Sequence, residues 1–182
     1  DITIDAGNDT GSTTEDLNTV SINTAEFLQD TGNISFIDVD LANTGLLSTS
    51  FVSATPNNGA SLSDELNTAL QDLSSAFTLS GDGVSQAARS GSAEWDFSID
   101  NDLTQYLAAG ESITATYRIT LTDNSGVDPA SGSNELNAAT QDVVITITGT
   151  NDAPTVSAIT STKSEDDSSY VIDLLADANA AD

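Results

Sequence analysis

Residues 111–123, ESITATYRITLTD, alternate without a break. Ile113, Ala115, Tyr117, Ile119 and Leu121 are interleaved with Thr114, Thr116, Arg118, Thr120 and Thr122. A period of two gives a strand one apolar and one polar face, which suits an antiparallel sheet with a single covered side. QDVVITITG (141–149) repeats the pattern through Val143, Ile145 and Ile147, and AEWDFSID (93–100) through Trp95, Phe97 and Ile99. Shorter β-branched or aromatic runs lie at 18–22, 33–38, 48–55 and 76–81. Seven such segments, parted by Gly, Asn and Asp turns, predict an all-β chain built as a β-sandwich.

One segment breaks this rhythm. SLSDELNTALQDLSSAF (61–77) sets Leu62, Leu66, Leu70, Leu73 and Phe77 at helical spacing. It predicts one short inserted helix near 61–76, with Ser61 as N-cap and Asp64 and Glu65 in the first turn. In the alternative reading the helix ends near Ser74 and residues 76–79 belong to the next strand. Residues 124–142 carry no apolar period and read as a long exposed hairpin loop.

Charge then limits function. The chain holds 29 acidic residues against three basic ones, Arg89, Arg118 and Lys163, for a net charge of −26. Nucleic-acid binding and attraction to an anionic membrane surface both need the Lys and Arg that are missing. No apolar run approaches the roughly 18 residues of a membrane span. With no Cys, His or Met, zinc sites, disulfides and Cys or His nucleophiles are closed off. The 37% hydrophobic content still supports a core, so the self-repulsion calls for dissolved cations.

An acidic hinge occurs twice, as AGNDTGSTTED (6–16) and as TGTNDAP (148–154). It divides the chain into an entry linker (1–9), one sandwich (10–150), and a hinge with the start of a following copy (151–182). Alternate connections of an immunoglobulin-like sandwich lie at the same end. Asp38, Asp40 and Asp123 then fall at one pole, with Asn8 and Asp9 close by where the chain enters. Glu15, Asp16, Glu111, Asn151 and Asp152 fall at the other. Hard oxygen donors brought together from distant segments are what Ca²⁺ takes, six to eight at a time, and two poles imply more than one ion. The competing account is that Asp and Asn simply favour turns, which suffices for a lone residue such as Asp102. Residues 100–111 have acidic residues at EF-hand offsets, but Gln105 stands where that loop needs Gly, so they are read as a packed turn.

AEWDFSIDNDLTQYLAAGESITATYRITLTDNSG followed by TQDVVITITGTNDAP resembles the VCBS-type repeat of very large bacterial adhesins exported by type I secretion. GNISFIDVDL is similar to the family's earlier glycine–strand–acidic element, and SEDDSSYVIDLLADANAAD to the opening of a next copy. The resemblance implies an immunoglobulin/cadherin-like Greek-key sandwich with Ca²⁺ at the junctions between tandem copies. Under it Glu15, Glu111, Asp38, Asp40 and Asp123 take the family's acidic ligand positions, and Glu165 and Asp166 repeat Glu15 and Asp16. The hinge departs from the cadherin pattern in having Thr148 where an aspartate is usual.

The expected function is therefore structural: a monomeric, calcium-stiffened extender module on the bacterial surface, whose partners are the adjacent repeats of its own chain. The alternative is a glycan- or protein-binding module using the 56–90 insertion and the 124–142 loop. No nucleophile motif or convergent cleft is legible, and an enzyme is not expected.

Overall fold

Apolar alternation in the sequence becomes the inner faces of two sheets. The computed structural model describes residues 2–5, 10–14, 27–38, 45–81, 90–123 and 138–151. Its elements are β1 (Ile2–Asp5), β2 (Thr10–Thr14), β3 (Phe27–Asp38), β4 (Gly45–Pro56), α1 (Asp64–Gln71), β5 (Phe77–Ser80), β6 (Ser90–Asp100), β7 (Ser112–Asp123) and β8 (Ala138–Thr148). One four-stranded sheet runs β1-β3-β6-β5 and the other β2-β8-β7-β4. In immunoglobulin lettering these are A-B-E-D and A′-G-F-C, a Greek-key sandwich. Counting β1 and β2 as two segments of one strand that changes sheets gives seven strands. The chain divides into two compact units, Asp1–Thr150 and Asn151–Asp182, and the sandwich belongs to the first.

Four expectations change. Ile2–Asp5, read as entry linker, is an edge strand antiparallel to β3, with Ile2 opposite Asp38; two isoleucines are too few to display a period. β2, Thr-Gly-Ser-Thr-Thr, carries no apolar signal at all, yet it pairs in parallel with β8 from Thr10↔Val144 to Thr14↔Thr148. Residues 138–142, read as part of the 124–142 loop, belong to β8, which begins at Ala138 opposite Thr122; residues 124–137 lie outside the described residues. The expected strand at 18–22 lies outside the described residues.

The fourth change is the helix. It spans only Asp64–Gln71, capped by Ser63 rather than Ser61: the Ser63 hydroxyl accepts the Leu66 N–H at 3.1 Å. Asp72 ends it by turning its carboxylate onto the backbone and hydroxyl of Ser74. Phe77 belongs to β5, as the alternative reading of this segment had it. Leu66 and Leu70 are buried in the core.

The core is layered from the inward residues of β6 (Ala93, Trp95, Phe97, Ile99), β7 (Ile113, Ala115, Tyr117, Ile119, Leu121) and β8 (Val143, Ile145, Ile147). Trp95 is fully buried and lies across two glycines. A Cβ on Gly32 would fall 2.6 Å from Trp95 Nε1, and one on Gly11 would fall 2.9 Å from Trp95 Cη2. Phe77 stacks on Trp95 with centroids 5.9 Å apart and on Tyr117 at 4.4 Å. Asp30 shares the inner face of β3 with Leu28 and Ile34 and fixes the strand that changes sheets. Its two carboxylate oxygens accept the N–H of Ser12 at 2.6 Å and that of Thr31 at 2.8 Å.

The Tyr117 hydroxyl donates to Leu70 O at 2.9 Å inside the core. Leu70 sits in the last turn of α1, where carbonyls have no intrahelical donor, so the tyrosine satisfies a group that burial would otherwise orphan. Burial raises the Tyr117 pKa far above that of an ordinary phenol. Tyr117→Phe is expected to destabilise the sandwich by about 1–2 kcal/mol, since a buried carbonyl loses its partner. A denaturant midpoint that falls at constant slope checks this, and an unchanged midpoint refutes it.

Candidate functional site

Strand directions decide which candidates share an end. β3 closes at Asp38, and β4 opens at Gly45 opposite Asp123. The backbone therefore sets Asp38 and Asp123 at one end of the sandwich. At the other end Ser112, the first residue of β7, faces Thr148, the last of β8, with Thr14 beside it. Glu111 adjoins that second end.

The second end is built from a turn and a strap. Residues 108–111 form a β-turn closed by the Glu111 N–H to Ala108 O bond of 2.9 Å. Gly110 takes its third position with φ +89°, where a side chain would be strained. The Glu111 carboxylate closes the turn a second time, Oε2 accepting the Ala108 N–H at 3.1 Å. Its Oε1 accepts the Asn58 side-chain N–H at 2.7 Å. Asn57 completes the strap. Its amide donates to Gly110 O at 3.0 Å and its Oδ1 accepts the Ser112 N–H at 3.1 Å. The Gly149 N–H donates to Glu111 O at 2.9 Å, so the exit from β8 is tied to the same turn. Tyr106 reaches the Ser63 backbone; partial burial raises its pKa, and the Glu111 charge adds to the rise.

These contacts explain Glu111's electrostatics. The Asn58 amide first, and the Ala108 N–H second, hold its carboxyl below the ordinary value of 4.5. A group whose pKa is lower in the folded state stabilises fully above its unfolded value and loses that contribution as pH falls through the folded value. Glu111→Gln is therefore expected to lower the unfolding midpoint at pH 7, with the gap to wild type narrowing below pH 4.5. Thermal melts across pH measure it. A gap independent of pH would show that the charge is not what holds the strap.

The EF-hand-like spacing at 100–111 is a packed turn, as read from the sequence. Asp100 Oδ1 caps the short 3₁₀ turn Asn101–Leu103 by accepting the Asp102 N–H at 3.0 Å, and Leu107 is buried. On the polar face, Arg118 grips Asp142 directly across β7–β8 with a two-pronged bond of 2.6 and 2.8 Å. The guanidinium holds the Asp142 carboxyl below its usual range. Both side chains are well exposed, so the pair fixes register more than it stabilises.

Of the ten candidate ligands, Glu111 and exposed Asn151 are described with their side chains, and Asp38 and Asp123 by their backbone. Asn8, Asp9, Glu15, Asp16, Asp40 and Asp152 lie outside the described residues, as do Glu165 and Asp166. Asp5 and Thr10, which bracket the Asn8–Asp9 stretch, pair with Ser35 and Val144 within the sheets; the strand that enters at the pole is β1, through Ile2. Among the described residues no three His, Cys, Asp or Glu side chains gather in a way that could hold a metal ion. Sequence reasoning missed Asn57, Asn58 and Asp30. The Asn-Asn-Gly run after β4 signals a turn but not a partner 53 residues away.

Within the 56–90 insertion, a recess of about 440 Å³ opens beside α1, lined by residues 54–56, 59–62 and Asn67. Its walls offer neither an aromatic face nor a charged group. No helix among the described residues is long and apolar enough to cross a membrane. Comparison with protein-family models, curated proteins and solved structures gives no match.

Proposed function

We propose that this chain is a structural spacer: a sandwich module of a VCBS-type bacterial surface adhesin, whose ends are stiffened by calcium. The observation that carries the reading is the path of the chain. β1 begins opposite Asp38 at one end, and β8 finishes at Thr148 at the opposite end, tied to Glu111 through Gly149. Entry and exit at opposite poles suit modules strung end to end, with the load running along the strands.

The donor set fits a hard divalent cation, since the candidates offer only carboxylate, carboxamide and backbone oxygens. Asp38, Asp40 and Asp123 would serve one end. Glu15 and Asp16 would serve the other, and Glu111 would join them by giving up one of its N–H donors. The ion would supply the positive charge that a chain of net −26 lacks. The ligand-binding alternative gains no support from the recess beside α1, which has no aromatic or charged side chain in its lining.

Thermal unfolding in chelator, in calcium and in magnesium tests the proposal. A calcium-selective rise in midpoint that Asp38→Asn with Asp40→Asn reduces is the expected result. A midpoint indifferent to calcium overturns it.

A further inference from the structure

Asn58 is followed by Gly59, the single Asn-Gly pair in the chain. An asparagine is attacked by the next residue's backbone nitrogen most readily when that residue has no side chain to shield it. Gly59 adds two structural conditions. A Cβ built on it meets nothing within 4 Å, so no neighbouring group crowds its α-carbon, and its φ of +73° places it in a turn. Its N–H reaches Pro56 O only at 3.4 Å, a bond too long to hold it firmly. Residues 57–60 are all exposed. What restrains the Asn58 side chain is a pair of bonds, one from its amide to Glu111 Oε1 at 2.7 Å and one from the Ala60 N–H to its Oδ1 at 2.8 Å.

We infer that Asn58 is a site of spontaneous deamidation in the folded protein, with Glu111 as the positioning residue that sets its rate. The Gly59 nitrogen bonds to the Asn58 side-chain carbonyl carbon while the bond from that carbon to Nδ2 breaks. The Gly59 N–H proton leaves with Nδ2 as ammonia. Water then opens the five-membered imide at either carbonyl. One opening gives Asp, the other isoaspartate with the backbone rerouted through the side chain, and no oxidant or reductant is needed. Glu111 is ionised and can only accept, so it gives the departing amine no proton and acts by holding the amide in place.

The consequence follows from the same geometry. The product replaces an N–H donor with a carboxylate facing Glu111 Oε1, and two like charges at hydrogen-bond distance repel. The tie between the strap at 57–60 and the turn at 108–111 is lost. Deamidation thus acts as a slow, irreversible loosening of one end of the sandwich.

The test is peptide mapping by mass spectrometry of the full chain, aged in chelator at mildly alkaline pH, with isoaspartate scored separately. Modification should concentrate at Asn58 over Asn57, Asn67 and Asn101, as a mixture of Asp and isoaspartate. Glu111→Ala should speed it severalfold, and the same ageing in denaturant should remove the difference between the two proteins. Asn58→Asp should lower the unfolding midpoint in chelator, whereas Asn58→Gln, which keeps an amide, should lower it less. An Asn58 that stays intact while the denatured chain reacts overturns the inference, as does a Glu111→Ala rate equal to wild type. Working in chelator makes each outcome independent of calcium.

Discussion

Trp95→Ala is expected to destabilise the sandwich by about 3–5 kcal/mol, the range found when a large aromatic is removed from a core that cannot collapse around the gap. The reason lies in the two strands that face it. Gly32 and Gly11 give the ring its space, and neither has a side chain that can move in once the indole is gone. Phe77 loses one of its two stacking partners at the same time. The converse change makes the account specific. Gly32→Ala places a methyl group where the indole lies and should cost about 1–3 kcal/mol through overpacking. In the Trp95→Ala background the same methyl enters the vacated space and should cost nothing or stabilise. Denaturant unfolding of the four proteins measures the coupling. Additive costs would mean that the indole and Gly32 do not share that space.

The second large effect is calcium removal. Extracellular calcium modules work with dissociation constants around 10⁻⁴–10⁻³ M. An ion bound only to the folded state at a hundredfold excess over its dissociation constant adds about 2.7 kcal/mol per site. Two or more sites would then contribute on the scale of a whole domain's stability, about 5–15 kcal/mol. Moving from calcium to chelator should lower the midpoint by many degrees, while magnesium, which holds its water and demands a tight octahedron, should recover little. Asp38→Asn with Asp40→Asn should remove part of the increment and leave the melt in chelator unchanged or slightly higher, because two repelling charges have gone. A double variant that responds to calcium as wild type does would place the ions elsewhere.

The sequence made the interior strands plain and the edges obscure. β6, β7 and β8 each present an apolar side chain at every second position to a buried face, and that period is the signal. β2 has no such face. Thr10–Thr14 is a strand because β8 offers it a free edge and Asp30 takes the Ser12 N–H, and both partners lie far along the chain. The helix was visible in its leucines, but its start depended on which of two serines turned its hydroxyl to Leu66. Its end depended on Asp72 choosing the backbone of Ser74. Glu111 shows the same limit at the candidate site. Its place before β7 was legible, whereas its bonds to Asn58 and Ala108 came only with the fold.

The parallel pairing of β2 with β8 sets how the module answers a pull. Tension applied to its two ends draws β2 back toward the Asp38 end and β8 forward past Thr148, so the strands are asked to slide along each other. The five register pairs from Thr10↔Val144 to Thr14↔Thr148 then share the load at once, where a hairpin pulled open from one end would yield bond by bond. A short polar segment with no apolar residue of its own is thus placed, by its parallel register, where a pull along the strands meets shear rather than peeling.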